Sequence, residues 1–437
     1  MLSDFWAGLP LWVQDTALLL ALLAPAVAIG TVTLRGFDLR PLLVGLLRRH
    51  AGLCAVFVLL IAVSVGIGAA LIAQERGIRA GTAQAADKFD LIVAAPGSEV
   101  TAMLAAVYLQ PSDLALLDGA TYKSIATHDR VDMAAPIAFG DSWQGAPVVG
   151  TIPDFVAHLS DGLSEGRVFA DHGEAVAGAR VPLSLGQTFT PAHGVGAGAE
   201  TGAHGDATFE VVGRMPPTGT PWDRALLVPV EAVWEIHGLA NGHAPHRADQ
   251  LGPPFDAAYF PGTPAILVRA EQLWVNYQLR SEFTTDRTMA FFPGTVLAQL
   301  HALLGDVRQV MSLLAVVTQV LVAAAVLAGL VMLTRLLVKR LALLRALGAP
   351  ARFVFALTWS FASTLIAVGA VLGLVVGIGA ARVIAAIVTE RTDILVRAAL
   401  GWPELHLVAG FVSATVVLSL LPAWLSIRRA PVADLRG

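Results

Sequence analysis

The chain has few charged residues, a single cysteine and no basic stripe, and each of these absences excludes a class of protein. Charged residues make up only 14% of its 437 residues, whereas a typical soluble domain has about 25%. A single cysteine, Cys54, excludes an intrachain disulfide. A net charge of -4 without a basic stripe argues against a nucleic-acid partner. None of the three lysines follows a glycine, so the chain has no P-loop and cannot bind ATP through that motif.

Long apolar runs, in contrast, are abundant, and the mean hydropathy is +0.68. A hydrocarbon core about 30 Å thick needs about 20 apolar residues of helix. Five runs meet or nearly meet that length, at residues 16–34, 53–73, 309–334, 353–381 and 405–427. A polar stretch without such a run separates the second from the third. The pattern predicts an α-helical integral membrane protein that carries one large extramembranous domain.

The arginines predict the orientation, because positively charged short loops stay cytoplasmic. No Lys or Arg precedes Arg35, so the first run is not a cleavable signal peptide. Basic residues cluster at 35–49, 335–352 and 428–436. We therefore expect five spans, with the N-terminus and residues 76–300 outside. In the alternative interpretation, the first run, which contains Pro25, lies in the membrane interface.

The outer stretch alternates short β-like runs with helical ones, which is typical of an α+β domain. The β-like runs lie at 90–94, 146–152, 208–213, 225–230 and 264–269, and the helical ones at 153–160, 230–238 and 270–280. Asp141 and Ser142, in the sequence GDSW, are interpreted as turn residues between short strands. No nucleophile elbow accompanies that serine, so a hydrolase is disfavoured.

A heptad-like seam precedes the third apolar run. Its apolar residues recur at spacings of three and four, and they are Leu297, Leu300, Leu304, Val307 and Met311. Such a seam predicts a helix that projects from the bilayer and pairs with residues 78–89 as a stalk. The alternative is an amphipathic helix packed on its own domain.

Residues 335–353 predict a short amphipathic helix between two spans. Leucines on one face oppose Arg335, Lys339, Arg340 and Arg345, and Gly348 and Pro350 end the helix. A basic amphipathic helix here is either a surface anchor or a docking element for a cytosolic partner.

Histidines concentrate in the outer stretch. The candidates for a transition-metal site are His193, His204, His237, His243 and His246. Imidazole and carboxylate ligands together suit zinc, copper or iron. The spacing matches no named metal motif, so the alternative is ordinary solvated loop histidines.

Several stretches resemble the MacB/FtsX/LolC-type ABC transporter permeases. In the membrane part, they are LLRALGA at 343–349, the segment 46–71, the glycine-rich fourth run and the ending PAWLSIRRAPVADLRG at 422–437. Weaker similarity to MacB-type periplasmic domains lies at 90–98, 165–169 and 209–224. Two positions depart from the family: Arg340 lies where Glu is usual, and Trp359 and Ser360 replace an early Glu of the next span.

The resemblance implies four core transmembrane helices with an inserted periplasmic α+β domain, here preceded by an extra helix. The expected parts are the extra helix at 1–35, a leading amphipathic helix and first core span at 36–75, the periplasmic domain with stalk helices at 76–306, and three spans with a cytoplasmic coupling loop at 307–437. It also implies a bacterial inner-membrane location.

The resemblance further implies a permease that is not itself an enzyme. A separate cytosolic ABC ATPase would bind ATP and magnesium, and its motion would drive export or mechanotransmission. A second permease copy, the bilayer and a periplasmic protein are the other expected partners, and no cofactor is expected on this chain apart from a metal at the histidines. The expected ATPase-coupling residues are Lys339, Arg340, Leu341, Leu344, Arg345, Leu347 and Gly348. The competing hypotheses are a membrane-anchored metal-handling module and a membrane-anchored hydrolase.

Overall fold

The computed structural model describes residues 6, 8–194, 207–272, 274–303 and 305–427. The chain divides into two compact units. The first, the helical unit, comprises Met1–Gly77, Gly305–Ala386 and Arg397–Gly437. The second, the inserted unit, comprises Ile78–Leu304 and Ile387–Val396.

The helices are numbered in chain order over the described residues. They are α1 Leu11–Leu34, α2 Arg40–Arg49, α3 Ala51–Ala86, α4 Glu99–Ala106, α5 Gly119–Ala126, α6 Pro153–Ser160, α7 Val230–Ile236, α8 Val275–Glu282, α9 Pro293–Leu303, α10 Gly305–Ala346, α11 Ala351–Thr392, α12 Trp402–Leu418 and α13 Leu420–Leu425. Short 3₁₀ turns occupy Pro221–Arg224 and Pro245–Arg247.

The strands all lie in the inserted unit. They are β1 Leu91–Ala94, β2 Val131–Pro136, β3 Ala138–Trp143, β4 Ala146–Thr151, β5 Glu165–Gly166, β6 Glu174–Ala177, β7 Thr188–Phe189, β8 Ala192–His193, β9 Phe209–Arg214, β10 Leu226–Pro229, β11 Ala265–Ala270 and β12 Met289–Phe291.

The helical unit contains the helices that the apolar runs predicted. Within the described residues, four helical stretches are long and apolar enough to cross a membrane, and they are Leu11–Leu34, Ala51–Ala86, Ala351–Thr392 and Trp402–Leu425. A shorter apolar stretch, Val316–Gly329, lies inside α10. The prediction of a helix-rich part with several candidate spans is therefore confirmed.

Small residues let α3 and α11 approach each other closely. A Cβ added at Gly373 would lie 2.6 Å from the carbonyl oxygen of Ala62, and one added at Gly377 would lie 2.4 Å from that of Gly66. Gly369 continues the same four-residue spacing and would place a Cβ 2.7 Å from Cβ of Ile61. Stripes of small residues of this kind allow backbone contact between helices in membranes.

The expected short amphipathic helix at 335–353 is not a separate element. Helix α10 continues through the basic segment and ends at Ala346. No glycine or proline interrupts the chain between 330 and 347, so nothing stops the helix at the end of the apolar run. The expected stop is confirmed, because Gly348 has φ +96° and α11 begins at Ala351.

The inserted unit is an α/β domain with two sheets. The smaller sheet is antiparallel, with the strand order β12-β1-β11-β2. The larger follows the order β5-β9-β6-β10-β4-β3-β8, with β7 added on β9. All five predicted β-like runs contain strands, at β1, β4, β9, β10 and β11. Trp222 and Phe155 lie in the core, with rings 5.4 Å apart.

The end of α11 and the start of the loop that follows it contribute Ile387–Val396 to the inserted unit. The carboxylate of Asp393 lies 2.9 Å from the guanidinium of Arg224 and 3.2 Å from that of Arg180. The amide of Leu395 donates to the carbonyl of Gly219 at 3.1 Å. Desolvation raises the pKa of Asp393, although the two arginines oppose that shift. The sequence did not predict this segment to belong with the inserted domain.

Candidate functional sites

The turn between α10 and α11 is the first candidate site, because it contains the expected ATPase-coupling residues. The amide of Ala349 donates to the carbonyl of Leu344 at 3.0 Å, and that of Gly348 to Arg345 at 3.1 Å. This pair of bonds, with a left-handed glycine at Gly348, is a Schellman motif, which ends a helix in a defined geometry. The turn is therefore a fixed structure.

The expected ATPase-coupling residues whose side chains the structure describes differ in burial. Leu341 is buried and Leu344 half-buried, packed on the core of the helical unit. Arg345 donates from its guanidinium to the carbonyl of Ile427 at 3.3 Å, so it contacts the chain after α13. Leu343 and Leu347 are 53% and 77% exposed. The apolar surface that a partner can reach thus includes Leu343, which the sequence analysis did not select. Lys339 and Arg340 lie in α10, and their side chains are outside the described residues.

The residues of the predicted stalk lie on α9 and α10. Leu297 is 5% exposed and belongs to the core of the inserted unit, whereas Leu300 is half-buried. Leu304, and the side chains of Val307 and Met311, lie outside the described residues. At the start of the seam, then, α9 packs on its own domain, which is the alternative that the sequence left open.

The segment after Ile78 does meet α9 inside the inserted unit. The hydroxyl of Thr82 lies 3.2 Å from Nε2 of His301. Ala85 and Phe89, further along the segment, are buried in the domain core. Thr82 and His301 thus form one contact between this segment and α9. The stalk and its role in transmitting motion stay predictions.

A histidine cluster in the larger sheet is the second candidate site. Asp141 lies in β3, directly opposite His193 in β8. Residues directly opposite in an antiparallel pair present their side chains on one face. His237, which follows α7, approaches the same carboxylate from the helix. Strand pairing and a helix end thus bring together three residues that are distant in sequence.

The distances within this cluster are short. Oδ1 of Asp141 lies 3.4 Å from Nδ1 of His193 and 3.6 Å from Nε2 of His237. The Asp141 side chain is only 1% exposed, while those of His193 and His237 are 51% and 24% exposed. Its carboxylate raises the pKa of His237 above the ordinary value, and burial partly offsets this effect.

The interpretation of Asp141 and Ser142 as turn residues is wrong. Both lie in β3, where Asp141 pairs with Val148 and Ser142 with Pro147. The turn comes after Trp143, at Gln144 and Gly145, with φ values of +48° and +84°. Two consecutive positive φ values are typical of a type I′ hairpin. The signal in the sequence was therefore the Gln-Gly pair, three residues later than expected.

Of the other candidate metal ligands that the structure describes, neither His243 nor His246 joins the cluster. The ring of His243 is buried beside Phe255, with ring centroids 5.0 Å apart, and its Nε2 lies 3.6 Å from Oε1 of buried Glu231. His246 is exposed in a 3₁₀ turn. His204 lies outside the described residues. The histidines between 237 and 246 thus do not converge on one point, and whether any of these residues binds metal stays a prediction.

Comparisons with known proteins find similarity only to solved structures, at low identity and low TM-score. No protein-family model matches the chain, and no curated protein matches it. One similar solved structure is the periplasmic region of MacB from Actinobacillus actinomycetemcomitans, with 9% identity and a TM-score of 0.31, covering 49% of this chain and 95% of that one. Another is the extracellular domain of the ABC-type transporter YknZ from Gram-positive bacteria, with 11% identity and a TM-score of 0.29, covering 46% and 98%.

Proposed function

We propose that the chain is the membrane-spanning permease subunit of an ABC transporter in a bacterial inner membrane. A separate cytosolic ATPase docks on the turn between α10 and α11, and ATP hydrolysis there moves the inserted unit on the other side of the membrane. This motion serves export or mechanical work on a periplasmic partner. The resemblance in sequence implies two permease chains per complex, so a second copy belongs to the proposal.

The observation that carries the proposal is the exposed apolar surface at the turn. Leu343 and Leu347 are held outward by a helix end whose hydrogen bonds fix its geometry. The turn also lies in the basic segment that the arginine distribution assigns to the cytoplasm. Since the chain has no P-loop of its own, ATP-driven motion requires a partner at such a surface.

Continuous helices supply a route for that motion. Helix α3 has 36 residues and α11 has 42, and both continue from the helical unit into the inserted unit. At about 1.5 Å per residue, each is more than about 50 Å long. Helix α11 ends in the segment whose Asp393 pairs with Arg180 and Arg224. A displacement of α11 would therefore act on the inserted unit through two ion pairs as well as through the chain.

The experiment is a co-purification of the full chain with its ATPase. The wild-type chain, tagged at the N-terminus and extracted in detergent, should co-purify with a P-loop protein. The complex should hydrolyse ATP. The variant Leu347→Asp should lose it, because an unpaired carboxylate buried at the contact costs several kcal/mol. Leu344→Asp is a poorer choice, since Leu344 packs inward.

Leu239→Asp is the matched control, because Leu239 is 49% exposed but lies in the inserted unit. It should retain the ATPase, and both variants should reach the membrane in equal amounts. Undiminished ATPase association in Leu347→Asp would contradict docking at the turn and would favour the surface-anchor interpretation.

A further inference from the structure

We propose that Asp141, His193 and His237 form a binding site for one divalent transition-metal ion, with zinc as the best match. Two imidazoles and one carboxylate are ligands that zinc commonly takes in proteins. The ligand atoms of all three residues lie within 4.8 Å of one another. The site lies in the inserted unit and does not depend on the proposed ATPase.

The separations match those between ligands of one metal ion. Zinc binds nitrogen and oxygen ligands at about 2.0–2.1 Å, so two ligands of one tetrahedral ion lie about 3.3 Å apart. The carboxylate oxygen of Asp141 lies 3.4 Å from His193 and 3.6 Å from His237. A charge-assisted hydrogen bond between such groups would measure about 2.7–2.9 Å. An ion between the three atoms needs only small adjustments.

A backbone hydrogen bond sets the tautomer of the neutral His237 ring. Its Nδ1 lies 2.7 Å from the carbonyl oxygen of Val233. A carbonyl only accepts, so Nδ1 carries the proton and Nε2, which faces Asp141, presents its lone pair in the neutral ring. Metal-binding histidines commonly fix their tautomer through such a bond to a backbone carbonyl.

The backbone around the site is held by hydrogen bonds. The amide of Gly194 donates to the carbonyl of Gly140 at 2.7 Å, and the Ser142 hydroxyl donates to the carbonyl of Gly194 at 2.6 Å. These bonds extend the β3–β8 pairing past His193. The register that places His193 opposite Asp141 is therefore fixed on both sides of the pair.

Burial and exposure indicate an open site. The buried carboxylate of Asp141 faces His193 and His237, and a divalent cation held by all three would add the positive charge that favours a buried carboxylate. His193 is half exposed, so a water molecule or a group of a bound substrate would complete the tetrahedron from the solvent side. Three protein ligands with an accessible fourth position distinguish exchangeable sites from closed structural ones.

The competing explanation is a proton shared between the histidines and Asp141. Zinc titration of the full chain in detergent separates the two, provided that the protein carries no polyhistidine tag and has been dialysed against a chelator. The wild-type protein should bind one zinc ion per chain with high affinity. His193→Ala should weaken that site by at least about 100-fold, because even the loss of an outer partner of a ligand costs about 10–100-fold.

His246→Ala is the matched control, since it removes an exposed histidine of the same unit outside the cluster. It should bind zinc as wild type does. A second measurement uses Co²⁺, whose visible spectrum distinguishes four-coordinate from six-coordinate sites. The four-coordinate spectrum should be present in wild type and His246→Ala and absent in His193→Ala and Asp141→Asn.

Two results would overturn the site. One is wild-type protein that binds no zinc in the titration. The other is equal zinc binding by wild type and His193→Ala, which would assign the ion to other surface histidines. His193 is half exposed on a two-residue strand, so its removal should leave the circular dichroism spectrum unchanged. Neither result bears on ATPase association, so this proposal and the proposed function fail independently.

Discussion

The helical unit and the inserted unit both bury apolar side chains, but they differ in how many large apolar side chains they expose. In the inserted unit many large apolar residues are inside, among them Trp222 and Phe155, which are 0% and 1% exposed. In the helical unit many large apolar residues face outward, among them Leu20 and Val371, each 64% exposed. Large exposed apolar surfaces are disfavoured in water, and the proposed membrane-spanning role of the helical unit accounts for this difference.

The contacts that hold each unit together differ in the same way. The inserted unit relies on aromatic packing, for example Trp222 against Phe155 and Phe89. The helical unit relies in part on glycines, with Gly373 and Gly377 of α11 against the backbone of α3. Lipid tails are as apolar as leucine, so helix association in a bilayer depends on close packing instead of on hydrophobic burial.

The strongest test of this comparison places arginine on an exposed apolar position of each unit. Val371→Arg should impair membrane insertion by about 2.5–3.5 kcal/mol, the cost of arginine near the centre of a spanning helix. Leu239→Arg, on the inserted unit, should change stability by less than about 0.5 kcal/mol. The fraction of full-length protein in the carbonate-resistant membrane pellet measures the first effect, and the melting temperature measures the second. If neither arginine variant reduces membrane insertion or stability, the claim that lipid surrounds the helical unit and water surrounds the inserted unit is contradicted.

A second test compares two glycines of α11, one packed against α3 and one with no atom near its Cβ position. Gly373 lies two residues from Val371 but faces α3, so Gly373→Leu should overpack that contact at a cost of about 1–3 kcal/mol. Gly379→Leu is the control, because a Cβ there meets nothing within 4 Å. Reversible unfolding in mixed micelles compares the two variants. If Gly379→Leu destabilises as much as Gly373→Leu, close packing of α3 on α11 is not what holds the unit together.

The features that were predicted correctly depend on local sequence. Apolar run length is enough to identify the long helices. Gly348 and Pro350 end α10 because one provides a left-handed residue and the other cannot continue a helix. The runs at 146–152 and 264–269 became β4 and β11 because their composition favours strands whatever they pair with.

The features that were missed depend on long-range pairing. Asp141 reaches His193 only through the pairing of β3 with β8, and His237 only through the position of α7. Asp393 reaches Arg180 and Arg224 across sequence separations of 213 and 169 residues. Proximity in sequence instead grouped His237 with His243 and His246, and His193 with His204.

The central claim is that the inserted unit and the turn between α10 and α11 lie on opposite sides of a membrane. Two cysteines in a Cys54→Ser background test it: Ser112→Cys in an exposed loop of the inserted unit, and Leu347→Cys at the turn. The measurement is labelling of spheroplasts with a membrane-impermeant maleimide. The account predicts that Ser112→Cys is labelled at once and Leu347→Cys only after the membrane is permeabilised. Labelling of Leu347→Cys in intact spheroplasts would contradict it.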